Sequence, residues 1–244
     1  MKGFIKFLLG LVLGFAIAWA IDNFKKTDEI ALTPTTTTVE TSYELADFDA
    51  VKVSGTFNAV ISHGEYGVTV QVPEEILPYV KVEVKDGTLN VGLNGRVKIN
   101  PKVSKCKAFV YLPELHSIAA SGAASVLAAD FTGSEVTVRS SGAADIELGG
   151  DLAKLEIVSS GASSVSLKGL AENVQVTASG AAGVSLNGEG TSLKVSASGA
   201  SSVDADDFKV ENVSVDASGA SKVTYEPAET ESVRTSGSAK AEKR

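Results

Sequence analysis

Ser141-Gly142-Ala143-Ala144-Asp145-Ile146-Glu147-Leu148, Ser160-Gly161-Ala162-Ser163-Ser164-Val165-Ser166-Leu167 and Ser179-Gly180-Ala181-Ala182-Gly183-Val184-Ser185-Leu186 are three consecutive copies of one pattern. A Ser-Gly-Ala triplet is followed by an apolar residue four positions after the glycine and another six after it. The pattern extends in both directions. Ser-Gly pairs stand at Ser121-Gly122, Ser141-Gly142, Ser160-Gly161, Ser179-Gly180, Ser198-Gly199, Ser218-Gly219 and Ser236-Gly237, with glycine spacings of 20, 19, 19, 19, 20 and 18 residues. Alanine follows the glycine in the first six copies, and Ser238 follows it in the seventh. A repeat at fixed period decides the architecture before local propensity does.

The apolar positions keep step with the glycine. Val136 and Val138, Leu155 and Ile157, Val174 and Val176, Leu193 and Val195, and Val213 and Val215 stand six and four residues before it. Val126, Ile146, Val165, Val184, Val203 and Val223 stand four after it, and Leu148, Leu167, Leu186, Ala205 and Tyr225 six after it. Spacing by two marks strands whose alternate side chains face one side. A unit this short cannot bury its own apolar face, whereas stacking identical units does. The expected fold is all-β: a parallel, right-handed β-solenoid of about 19-residue coils, the hand following the rule for parallel crossovers. Seven coils at the ordinary inter-strand spacing make a rod of roughly 30 Å.

Strict alternation points each glycine inward with its small neighbours two before (Ala120, Ser140, Ser159, Ala178, Ala197, Ala217) and two after (Ala124, Ala144, Ser163, Ala182, Ser201, Ser221). The coil then pinches at Ser-Gly-Ala, and Ser121, Ser141, Ser160, Ser179, Ser198 and Ser218 form an outward ladder, the candidate contact surface. A true corner at the glycine instead breaks the parity and leaves the facing of that ladder open.

Outside the repeats the chain divides further. Residues 43–113 alternate less regularly, with turn signals at His63-Gly64-Glu65-Tyr66-Gly67 and Lys85-Asp86-Gly87-Thr88. They read as an N-terminal β portion, continuous with the repeats at 114–237, that brings Phe48, Phe57, Phe109 and Tyr111 and covers the open first coil. Residues 238–244 read as a polar tail. Residues 25–42, with Thr33-Pro34-Thr35-Thr36-Thr37-Thr38, read as an extended stalk. Within 1–24, Phe7 to Ile21 carries no charge and follows Lys2 and Lys6. It is a signal peptide with Ala18-Trp19-Ala20 as its cleavage site, or a single membrane anchor over residues 4–21 with Trp19 at the interface. Either reading exports the remainder.

Phe48-Asp49-Ala50-Val51-Lys52-Val53-Ser54-Gly55-Thr56-Phe57, His63-Gly64-Glu65-Tyr66-Gly67-Val68, Asp86-Gly87-Thr88-Leu89, Tyr111-Leu112-Pro113-Glu114-Leu115 and the Ser-Gly-Ala repeats together resemble the putative auto-transporter adhesin, head GIN domain family. The resemblance runs from about Tyr43 to Gly237. It implies a bacterial envelope protein with a solenoid-like β fold, and it brings no catalytic motif to transfer.

The remaining composition narrows the function. A net charge of −8 with only four arginines argues against nucleic acid, which needs clustered cations. One cysteine, Cys106, rules out an internal disulfide or a cysteine-built zinc site and reads as a small strand residue. His63 and His116 lack metal-ligand spacing and read as turn or strand-edge residues. Asp145, Asp204 and Asp216 occupy different repeat positions and do not pair as glycosidase carboxylates would. Gly149-Gly150-Asp151 resembles a calcium-binding turn but occurs once, and reads as a plain turn. The outward position five before the glycine carries Thr137, Glu156, Gln175, Lys194, Ser214 and Ser232, not a threonine array. The expectation is a binding, adhesion or structural module without catalysis or cofactor. Its partner is an envelope or surface component, a glycan or a second copy of the chain, and the alternative is a carbohydrate-active enzyme on the same scaffold.

Overall fold

The computed structural model describes residues 37–94, 106–133 and 135–244. The apolar run at 4–21 and the first part of the stalk lie outside the described residues. Among the described residues no helix is long and apolar enough to cross a membrane.

The repeats form a parallel β-solenoid of seven coils. Each coil has one strand before its Ser-Gly-Ala triplet and one after it. The strands are β8 (Ser117–Gly122), β9 (Ser125–Thr132), β10 (Glu135–Ser140), β11 (Asp145–Ser159), β12 (Ser164–Ala178), β13 (Gly183–Glu189), β14 (Ser192–Ala197), β15 (Ser202–Lys209), β16 (Asn212–Ala217), β17 (Lys222–Tyr225), β18 (Thr230–Thr235) and β19 (Lys240–Lys243). β11 and β12 each run 15 residues because they cross from one face of the solenoid to the other without a break. The register is that of identical positions stacked on themselves. Val136 lies beside Leu155, Leu155 beside Val174, Val174 beside Leu193 and Leu193 beside Val213. The second face stacks Ile146 on Val126, Val165 on Ile146, Val184 on Val165 and Val203 on Val184. These columns are buried along the rod.

Chain spacing and core volume are linked at a second ladder of glycines. Gly150, Gly169 and Gly188 stack on each other with positive φ of 149°, 142° and 135°, which side chains rarely adopt. A Cβ on Gly169 would stand 2.1 Å from the Gly150 carbonyl oxygen, and one on Gly188 would stand 1.8 Å from that of Gly169. Only glycine permits that approach. The column is terminated on both sides by buried phenylalanines: Gly150 pairs with Phe131 and Gly188 with Phe208. Both lie in the 20-residue coils, where the strand register slips by one residue just before the ring. The same two coils carry Ala128 and Ala205 where the others have Leu148, Leu167 and Leu186. Leucine followed by glycine and alanine followed by phenylalanine are two ways of filling one layer.

The N-terminal portion adds to the same stack. Its strands are β1 (Thr38–Tyr43), β2 (Ala50–Gly55), β3 (Asn58–His63), β4 (Gly67–Pro73), β5 (Val80–Lys85), β6 (Thr88–Leu93) and β7 (Lys107–Leu112). β2 and β3 form an eighth coil, parallel to β8 and β9, with Gly55 directly beside Gly122. β6 and β7 lie parallel on the far side of β2 and β3. Beyond them the direction reverses: β5 pairs antiparallel with β6, β4 with β7, and β1 with β4. Asp86 and Gly87, with φ of 51° and 72°, make the tight β5–β6 hairpin turn.

Three details differ from the sequence reading. The stalk ends sooner, because Thr38–Tyr43 is already a strand whose alternate residues, Val39, Thr41 and Tyr43, are half-buried against β4. Residues 238–244 are not a tail, because β19 extends the stack on β17. Of the four large N-terminal aromatics, Phe48 and Phe57 are core, but Phe109 is only half-buried and Tyr111 is 46% exposed on the outer face.

Candidate functional site

The Ser-Gly-Ala triplet is a true corner. Gly122, Gly142, Gly161, Gly180, Gly199, Gly219 and Gly237 have φ between 71° and 79°. That conformation turns the chain within one residue and breaks the alternation of facing. All seven glycines are exposed, and so are the alanines at 123, 143, 162, 181, 200 and 220. Coils are locked by a backbone bond at each step, as where the amide of Ala162 donates to the carbonyl of Gly142 at 2.8 Å and that of Ala181 to Gly161 at 2.8 Å. A Cβ on Gly161 would stand 2.8 Å from the Gly142 oxygen, so the corner admits glycine for its closeness as well as its φ.

The candidate ladder residues are brought into one line at this corner. Ser141 and Ser198 are exposed, while Ser121, Ser160, Ser179 and Ser218 are half-buried. Their amides bond to the coil below, with Ser160 donating to Ser140 and Ser179 to Ser159, both at 3.0 Å. The six serines therefore stand in one line along the corner, one small polar step per coil, two of them exposed and four half-buried. The serines two residues away do different work. Ser140, Ser159, Ser163, Ser201 and Ser221 are buried behind the corner. Ser163 Oγ donates to the Ser160 carbonyl at 2.8 Å, and Ser221 Oγ to that of Ser218 at 2.9 Å. The Ser159 and Ser163 hydroxyls are 2.9 Å apart. These hydroxyls satisfy turn carbonyls that a purely apolar corner would leave short of donors.

A second feature escaped the sequence reading. His63 and His116, far apart in the chain, line one cavity of about 630 Å³ together with Glu114, Glu135, Phe131 and Thr132. Its cause is topological. In the regular coils the chain crosses directly into the next coil, through Gly150 and Gly169. After β3 it leaves the stack at His63, builds the terminal strands, and re-enters at His116, whose amide donates to the Asp49 carbonyl at 2.7 Å. The cavity opens at this break, roofed by Phe131 and Thr132 of the next coil. A sequence signal existed: the one interval between Ser-Gly corners that departs from the repeat length is the one between Gly55 and Gly122. Among the described residues no three His, Cys, Asp or Glu side chains converge to hold a metal ion.

Cys106 is buried at the entry to β7, and burial pushes its thiol up to about 11.

Comparison with solved structures places the fold. A putative adhesin from Bacteroides fragilis superimposes with a TM-score of 0.77 at 18% identity, covering 88% of this chain and all of that one. A putative adhesin from Parabacteroides merdae gives 0.73 at 18% identity over 88% of this chain and 99% of that one. A protein from Parabacteroides distasonis described as a putative lipid binding protein gives 0.69 at 18% identity with the same coverage, 88% and 99%. Comparison with curated proteins finds no match. The family described as putative auto-transporter adhesin, head GIN domain, matches residues 47–185 and 170–242, spanning both the terminal strands and the corner ladder, and the chain belongs to that family.

Proposed function

We propose that the chain is an exported cell-envelope binding module whose contact surface is the Ser-Gly-Ala corner. The observation that carries this reading is the exposure of that corner along every coil. Small polar and methyl groups recur there at the strand spacing, on a backbone too constrained to rearrange. A repeating rigid edge matches a repeating or extended partner at low ordering cost. The charged terminal strands and the apolar core do not offer such an edge. Family membership supports adhesion over catalysis, and the uncharged run before Asp22 supports export. The partner is an envelope or surface component, a glycan in the simplest case.

Lysine at Ser160, Ser179 and Ser198 tests this. Circular dichroism and melting first establish that the triple variant folds, since Ser198 is exposed but Ser160 and Ser179 are half-buried. Its adhesion to cells and to glycan-coated surfaces is expected to fall at least tenfold. Adhesion equal to that of the parent protein removes the corner as the contact surface.

A further inference from the structure

The cavity at the break in the coil has a composition that the solenoid does not require. His63, Glu114, His116 and Glu135 are all exposed around it, so none supports the core. The imidazole of His63 meets the buried ring of Phe131 edge-on, with centroids 6.4 Å apart. His116 Nδ1 lies 3.5 Å from Asp49 Oδ2, and Lys154 Nζ lies 3.9 Å from Glu135 Oε2. Pro113 and Glu114 form a ridge that also bounds a second hollow of about 300 Å³, lined by Asp47, Asp49, Phe48 and Tyr66. Tyr66 is 39% exposed there and packs on Phe48 at 5.0 Å. The two hollows share Pro113 and Glu114 as a wall, and together form the candidate groove.

The polar groups select the ligand class. Four carboxylates, from Asp47, Asp49, Glu114 and Glu135, repel an anion. They accept hydrogen bonds but give none. The two imidazoles add N–H donors beside these acceptors. A neutral polyol uses both sets, because each hydroxyl donates to a carboxylate and accepts from an imidazole N–H. Pro113 and the exposed Tyr66 ring offer apolar faces for the C–H side of such a ligand. The volume falls in the ordinary range for a small-molecule site. We propose that this groove binds a neutral saccharide, with Glu114 and His116 as its central polar contacts. The groove lies at the opposite end of β3 from the Gly55 corner, so the proposal stands apart from the adhesive ladder.

Calorimetric titration of the full chain with lactose, N,N′-diacetylchitobiose and mannobiose tests it, with spermine and inorganic phosphate as charged comparators. The expected result is saturable binding of at least one disaccharide. Glu114→Gln and His116→Ala should each weaken it about tenfold, the value of one charge-assisted hydrogen bond. The triple lysine variant of the corner should bind as the parent does. No binding of any of the three disaccharides, binding of spermine or phosphate alone, or binding that survives both groove substitutions overturns the proposal. Binding lost only in the corner variant assigns the sugar to the ladder and overturns it equally.

Discussion

Lys243 Nζ reaches Glu231 Oε2 at 3.2 Å across the open end of the last coil, from positions that carry Val213 and Tyr225 one coil below. Glu231 stands in a core column, its side chain only 24% exposed, and its other oxygen accepts from the Ala228 amide at 3.2 Å. Charge placed where the stack calls for apolar side chains disfavours the pairing of a second molecule's sheet edge there. Replacing both with the residues below, Glu231→Val with Lys243→Tyr, is expected to turn the end into a pairing edge. Sedimentation velocity should then show concentration-dependent association stronger than that of the parent protein.

The same pair makes a prediction about pH. The Ala228 amide, then the bond from Lys243, holds the Glu231 carboxyl below its ordinary range. Its folded pKa is lower than its unfolded one, so its contribution is present above the unfolded value and is lost as pH falls through the folded one. Tyr225 is shifted the other way, chiefly by burial and then by Glu231. Its contribution is present below the unfolded pKa and disappears as pH rises through the higher folded value. Melting temperature against pH should therefore fall at both extremes. Glu231→Gln should flatten the acid limb, and Tyr225→Phe the alkaline one.

Three glycines separate conformational need from mere smallness. Gly183 lies in a strand with open space where a Cβ would go, so Gly183→Ala is expected to be neutral or to stabilise by about 0.5 kcal/mol. Gly161→Ala meets both φ of 79° and a 2.8 Å contact, and should cost roughly 1–3 kcal/mol. Gly169→Ala places a methyl 2.1 Å from a backbone oxygen held in the middle of the stack, and should cost more than Gly161→Ala. Urea unfolding of the three variants checks the order.

The columns of the core were legible because parallel stacking sets each position upon its own copy: Val174 between Leu155 and Leu193 can be read by counting from the glycine. The direction of the corner was not legible, since alternation alone cannot say whether Gly161 continues a strand or turns it. The second glycine ladder could have been found. Gly150, Gly169 and Gly188 recur eight residues after the corner glycines, but Gly149-Gly150-Asp151 taken alone looks like any turn. The candidate serines were legible as a line. The groove was not, because His63 and His116 meet only through an excursion of the chain whose path no local pattern encodes. Thr38–Tyr43 was hidden by its composition, its half-buried residues being Val39, Thr41 and Tyr43 and not a clear apolar face.

Cys106 gives a probe of the terminal coils. Its thiol is fully buried and its pKa is raised to about 11 by that burial, so near neutral pH it is neither ionised nor reachable. An aromatic disulfide reagent should leave the native protein unmodified and label it at once in denaturant. At intermediate urea the labelling rate reports how often the region around β7 opens. β7 sits between β3 and β4, so its opening must part the terminal strands from the first coil. Ile61→Ala, on the buried face of β3 beside Val110, should cost about 2–5 kcal/mol and speed labelling in proportion. Leu193→Ala, deep in the repeats, should lower global stability by a similar amount. If the terminal coils open separately from the rest, it should leave the labelling rate at low urea unchanged. Equal acceleration by both would show that the terminal coils and the repeats unfold as one cooperative unit.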